Sequence, residues 1–112
     1  MGNFIPGLNQ EVLNYLCTIF SDQPAIEKAI LYGSRAKGTH RPYSDVDITL
    51  TGQNVNLGVL NKVSHQIDEL DLPWMFDISL MSKISNPDLL DHINRVGLEI
   101  YVREDLKENV DV

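Results

Sequence analysis

A mixed α/β fold, with helices packed on a small sheet, follows from three patterns in this chain. Three segments carry apolar residues at helical spacing. Two others alternate apolar and polar residues with a period of two. The loop between the first two strands is too short for a full parallel crossover helix, so the sheet is expected to be mixed. At 112 residues the chain is read as one domain, with its core at about 10–102 and a charged tail at 103–112.

The first helix spans Gln10 to Phe20, with Val12, Leu13, Leu16, Cys17, Ile19 and Phe20 on one face and Asn9 as N-cap. Ser21-Asp22-Gln23-Pro24 ends it. Ala29 to Tyr32 reads as a short buried strand running into Gly33-Ser34. A helical turn after Ser34 is expected there. Val46 to Thr51 is a second strand, with Val46, Ile48 and Leu50 facing one way and Asp45, Asp47 and Thr49 the other.

Leu57, Leu60, Val63, Ile67 and Leu70 mark an amphipathic helix that Leu72-Pro73 closes. Trp74 to Leu80 is a third strand, with Phe76, Ile78 and Leu80 opposite Asp77 and Ser79. Asn86-Pro87 starts a helix with a stripe of Leu89, Leu90, Ile93 and Val96, and Gly97 stops it. Leu98 to Val102 is a final strand, and the chain from Arg103 is expected to fray.

The apolar runs are too short to cross a bilayer, and no signal peptide is visible. The single cysteine, Cys17, has no partner for an internal disulfide and reads as a small core residue. Cytoplasmic localisation is therefore expected. The net charge is −7; setting aside the three aspartates assigned to metal leaves −4. Direct, sequence-independent binding of nucleic acid needs clustered Lys and Arg and is not expected.

The chemistry concentrates in Gly33-Ser34 and Asp45-Val46-Asp47. Asp45 and Asp47 project from one strand face with Cα atoms ~6.6 Å apart. Carboxylates at that spacing can converge on two ions ~3.5–4 Å apart, the separation used for displacement at phosphorus. Asp77 is the other strand-borne carboxylate opposite an apolar face, and completes a triad if its strand lies beside Val46–Thr51. Oxygen-only ligands suit Mg²⁺ or Mn²⁺ rather than zinc.

Glycine at position 33 lets a phosphate approach backbone N–H groups and can supply a positive φ. The Ser34 hydroxyl can donate to a phosphate oxygen. Arg35, Lys37 and Arg41 punctuate the same loop, where each can neutralise a phosphate or pair with a surface acid. No Walker A loop is present, because Thr39-His40 follows Gly38, and no Gly-x-Gly-x-x-Gly occurs. His40, His65 and His92 show no metal spacing; Tyr43 reads as a loop anchor and Trp74 as a packing residue.

The run Gly33-Ser34-Arg35-Ala36-Lys37-Gly38 through Ser44-Asp45-Val46-Asp47-Ile48 resembles the signature of the polymerase β nucleotidyltransferase superfamily. The match is most similar to the minimal nucleotidyltransferase (MNT) proteins. Phe76-Asp77-Ile78 and the stretch Ile93 to Tyr101 extend it, so that it covers roughly residues 25 to 102.

The resemblance implies the nucleotidyltransferase fold, a small twisted mixed sheet flanked by helices. It implies Asp45 and Asp47 on two Mg²⁺ ions, and Asp77 on the catalytic ion, helping to deprotonate the attacking hydroxyl. It also implies Gly33 and Ser34 holding the triphosphate of ATP, with Arg35, Lys37 and Ser44 as further nucleotide contacts. MNT proteins are commonly paired with HEPN proteins, which are RNase-like toxins, and neutralise them by transferring AMP to a tyrosine.

The expected function is that of such an antitoxin, a protein adenylyltransferase with a HEPN partner. Larger relatives carry an acceptor-holding domain that no segment here supplies. Two rivals remain at this stage: neutralisation by contact alone, and nucleotidyl transfer to a small molecule.

Overall fold

Asparagine starts each of the three long helices. Asn9 accepts from Val12 N–H at the head of α1 (Gln10–Ser21). Asn56 accepts from Val59 N–H at α3 (Leu57–Glu69), and Asn86 takes two N–H groups at α4 (Pro87–Val96), where proline occupies the first turn. Each cap satisfies donors that a helix cannot bond internally, worth about 1 kcal/mol. A fourth, four-residue helix, α2 (Ser34–Lys37), follows the first strand directly. These elements come from a computed structural model, which describes residues 8–39, 41, 42 and 44–107. The expectations for His40, Tyr43 and the tail at 108–112 lie outside the described residues.

The sheet has the order β3-β2-β1-β4. β1 (Lys28–Tyr32) is antiparallel to β2 (Val46–Thr51) and to β4 (Leu98–Val102), while β2 and β3 (Phe76–Leu80) run parallel. The sheet is thus mixed, as the short first connection requires. The parallel pair is joined through α3, a connection long enough for the crossover that parallel strands need.

Register divides the sheet into an apolar and a polar face. Ala29 and Leu31 pair with Leu50 and Ile48, and all four are buried. With Val46 they form the floor on which α1 and α3 pack, through Leu16, Phe20, Val63 and Ile67. Full burial of each large aliphatic or aromatic side chain here is worth roughly 1.5–3 kcal/mol. On the other face Tyr32, Asp47 and Asp77 fall in one row across β1, β2 and β3. α4 packs against β1 on that side, through the edge-on contact of His92 with Tyr32.

The structure departs from the sequence reading in four places. β3 begins at Phe76 rather than Trp74, because Trp74 turns away and donates its Nε1–H to the Pro42 carbonyl at 3.2 Å. The chain after β4 is folded through Lys107: Arg103 N–H donates to Glu27 at 2.8 Å, and a 3₁₀ turn covers Glu104–Leu106. Its guanidinium also holds the Pro24 carbonyl at 2.9 Å, which ties the charged segment to the loop after α1.

Cys17 is half-buried, and its thiol donates to the Ile100 carbonyl at 3.2 Å, where the β1–β4 register shifts by one residue. Burial pushes that thiol above its usual range. Thr49, on the nominally polar side of β2, is fully buried, and its hydroxyl donates to the Ser79 carbonyl at 3.4 Å.

Candidate active site

β1 delivers the chain to Gly33, which turns at φ +79° and ψ −155° into α2. Most L-residues avoid that conformation. A Cβ at position 33 would also overlap Oδ2 of Asp47, so the carboxylate would have to turn aside to admit one. The glycine thus lets the Asp47 carboxylate lie directly against the turn. Ser34 is the first residue of α2, where backbone N–H groups have no partner within the helix. Lys37 is exposed at the end of this turn.

Asp47 is half-buried on β2 and stands level with Tyr32 of β1 and Asp77 of β3. Burial raises its carboxyl above the usual carboxylate range, and the charges of Asp77 and Asp45 push in the same direction. Asp77 and Asp45 are exposed, Asp45 one residue before β2 begins. The parallel pairing of β2 and β3 thus brings together the three carboxylates that the sequence places on two separate strands.

Among the described residues, no three His, Cys, Asp or Glu side chains are arranged as a closed cage for one ion. Like-charged carboxylates spread apart, and two of the three reach into solvent. The donor set still fits a hard divalent cation: oxygen-only carboxylates that leave positions for water and phosphate oxygens, the way Mg²⁺ is usually held. Sulfur and imidazole ligands, which favour zinc, are not in the row.

The loop that leads to Asp45 is built on Arg35. This side chain is 1% exposed, and its Nη2 donates to the carbonyls of Ser44 at 2.9 Å and Pro42 at 3.5 Å. The guanidinium lies 5.4 Å from the Trp74 ring centroid, close enough for a cation–π contact. Burial lowers its pKa from the ordinary arginine value. Ser44 closes the loop locally: its Oγ accepts from Arg41 N–H at 2.8 Å, and its own N–H donates to the Arg41 carbonyl at 3.0 Å. Arg35 and Ser44 are therefore built into the loop, whereas Lys37 and Arg41 are exposed.

One residue of the site has no signal in the sequence motif. His92 of α4 accepts the Gly33 N–H on its Nε2 at 2.9 Å. Its ring meets Tyr32 edge-on, with centroids 6.3 Å apart and planes at 78°. Burial pushes the Tyr32 phenol above its usual range, opposed by the Ser79 side chain. His92 is 59 residues from Gly33, and only the packing of α4 on β1 brings them together.

A cavity of about 490 Å³ lies elsewhere, between α1 and β4, with Cys17, Thr18 and Tyr101 in its wall. It shares none of the residues above.

The mixed sheet thus sets a row of acids beside a glycine turn. The chain belongs to the polymerase beta nucleotidyltransferase family, whose model matches residues 14–106. No curated protein matches the sequence.

Solved structures do. A chain from a mutant of the toxin–antitoxin MntA–HpeT superposes with a TM-score of 0.66 at 18% identity, covering 88% of this chain and 77% of that one. A toxin–antitoxin with AMP-PNP gives 0.65 at 19%, covering 83% and 75%. A complex of tri-AMPylated Shewanella oneidensis HEPN toxin with MNT antitoxin gives 0.60 at 16%, covering 83% and 71%. At these identities the likeness establishes the shared fold.

Proposed function

We propose that this chain is a Mg²⁺-dependent protein adenylyltransferase that moves AMP from ATP to a tyrosine of a HEPN-type toxin and so neutralises it. The observation that carries the reading is the register of Asp47 with Asp77, beside the Gly33-Ser34 turn and with Asp45 next to β2. The AMP-PNP and tri-AMPylated toxin complexes among the structural neighbours support the choice of donor and acceptor. The whole chain acts as one nucleotidyltransferase domain, in the cytoplasm, and among its described residues no helix is long and apolar enough to cross a membrane.

In this mechanism Gly33 shapes the turn, and Ser34 donates its hydroxyl to the triphosphate. Lys37 and Arg41 screen its charge from solvent. Arg35 and Ser44 hold the loop that presents Asp45. Asp45 and Asp47 would hold two Mg²⁺ ions, with Asp77 on the catalytic one. When bound, the ions polarise the α-phosphate and offset charge that develops on the attacking and leaving oxygens. The tyrosine oxygen attacks the α-phosphorus, the bond to the β-phosphate bridge breaks, and diphosphate leaves. The phenolic proton passes to Asp77.

Incubation with α-labelled ATP, Mg²⁺ and the protein encoded beside this one tests the reading. Label is expected on a tyrosine of that neighbour, and its RNase activity is expected to fall with labelling. An unlabelled neighbour, in preparations that bind nucleotide, rejects protein adenylylation. Label on a small molecule such as an aminoglycoside, with no partner present, would favour the small-molecule alternative instead.

A further inference from the structure

We infer that His92 is the positioning residue of the nucleotide-binding turn: it holds Gly33, and through Gly33 the seats of Ser34 and Asp47, in the shape that receives a triphosphate. This rests on the nucleotidyl-transfer reading above and assigns it a residue on α4, outside the glycine–aspartate motif.

The geometry is specific. Gly33 is the residue that leaves β1, and Tyr32 is the last to pair with β2. The N–H of Gly33 would otherwise point, without a ladder partner, into a partly buried space; His92 Nε2 takes it at 2.9 Å. An imidazole nitrogen accepts only when unprotonated, so the proton of neutral His92 sits on Nδ1. The edge-on Tyr32 ring fixes the plane of the imidazole. Because the Gly33 N–H is engaged, the donor this turn offers to phosphate is the Ser34 hydroxyl, and its direction depends on the same turn. Asp47 depends on it too, since its carboxylate occupies the space a Cβ at position 33 would need.

Loss of the acceptor leaves a part-buried donor unsatisfied, and the turn relaxes away from His92. Distortion of a turn that seats both the triphosphate and Asp47 weakens nucleotide binding and lowers kcat/KM for transfer.

Three variants and one spectrum test this. In ¹⁵N-labelled wild-type protein, a scalar coupling across the hydrogen bond is expected between the Gly33 amide nitrogen and His92 Nε2. His92→Phe keeps a ring beside Tyr32 but has no acceptor. His92→Asn is polar but too short. His92→Gln can bring its Oε1 to the position of Nε2. With Mg²⁺ and AMP-PNP, calorimetry should show binding weakened about 3–10-fold in the Phe and Asn variants, the scale of one hydrogen bond, and largely restored in the Gln variant. In the transfer assay the Phe and Asn variants should lower kcat/KM for ATP, with recovery in the Gln variant.

Absence of the coupling overturns the assignment. So does wild-type affinity in both the Phe and Asn variants, or equal weakening in all three. Wild-type protein that shows the coupling yet binds no nucleotide overturns the transferase reading and this role together. Normal nucleotide binding with no effect of His92 overturns this role alone.

Discussion

Gly33 and Asp47 share one space: the Asp47 carboxylate fills the volume that a side chain at position 33 would occupy, and Gly33 turns at φ +79° to leave it open. Gly38 provides a second positive-φ turn, with ψ 11° rather than −155°. It has nearly the same φ, +78°, but nothing lies within 4 Å of the place its Cβ would take.

Gly33→Ala and Gly38→Ala should therefore separate lost stability from lost site geometry. Gly38→Ala is expected to lose about 1–2 kcal/mol of stability from its left-handed α conformation, and Gly33→Ala about 1–3 kcal/mol, because φ +79° with ψ −155° is nearly closed to residues with a Cβ. Gly33→Ala should in addition displace Asp47 and abolish measurable binding of Mg²⁺–AMP-PNP. Gly38→Ala should bind within about 2-fold of wild type once allowance is made for the unfolded fraction. Chemical denaturation with parallel calorimetry checks both. Equal nucleotide affinity in the two variants would mean that the overlap with Asp47 does not matter.

Asp47 makes a second prediction through its charge. Its pKa is raised in the folded protein by burial and by Asp77 and Asp45. The ionised form therefore costs stability. That cost is absent below the ordinary carboxylate value, grows as pH rises through the raised folded value, and is complete above it. Asp47→Asn should raise the Tm of the metal-free protein at pH ~7.5. The difference should close near pH ~2.5, well below the ordinary aspartate value, where the wild-type carboxyl is protonated in both states. Mg²⁺ with AMP-PNP should reverse the order at pH 7.5, stabilising the wild type and leaving the variant unmoved. Thermal scans at the two pH values, with and without ligand, provide the readout.

Arg35 and Trp74 supply a third. The guanidinium joins the Ser44 and Pro42 carbonyls, and the indole N–H meets the same Pro42 carbonyl. Lysine lacks the planar fork needed to hold two carbonyls and stack on a ring. Arg35→Lys should destabilise the nucleotide-free protein by about 1.5–3 kcal/mol, the scale of hydrogen bonds from a charged donor. Because Trp74 is the only tryptophan, its emission should report the change directly. A variant with wild-type Tm and an unshifted spectrum would show that Arg35 does not clamp this loop.

These residues show where local pattern is sufficient and where it is not. The alternation of Val46–Thr51 reveals which acids share a face, because side chains alternate with period two in any strand. The same rule picks out Asp77. That Asp77 stands level with Asp47 depends on β3 pairing parallel to β2, which the length of the α3 connection permits but the local pattern does not encode.

Arg35 illustrates the opposite case. A loop arginine beside a glycine-serine turn can neutralise a phosphate or pair with an acid, and its stacking on Trp74 comes from the fold rather than the local pattern. His92 leaves no trace in the motif, since its partner is a backbone N–H on another element. The folded segment after Arg103 is equally invisible, because its anchors are the carbonyls of Glu27 and Pro24.

The last prediction separates catalysis from contact. If the carboxylate row performs transfer, Asp45→Asn/Asp47→Asn should lower AMP transfer to the partner by at least ~10²-fold, the scale on which losing a charge-stabilising group acts. The substitution is isosteric, relieves repulsion around Asp47, and lies on the polar face, so the fold and any protein–protein surface elsewhere should persist. Co-purification with the partner should then be retained, and nucleotide-dependent neutralisation of its RNase activity lost. Two measurements on one variant are needed, because loss of neutralisation alone could come from lost association. A double variant that transfers no AMP yet neutralises as well as wild type would assign the protective effect to contact, with the site as a nucleotide-binding remnant. Retained transfer would remove Asp45 and Asp47 from the chemistry altogether.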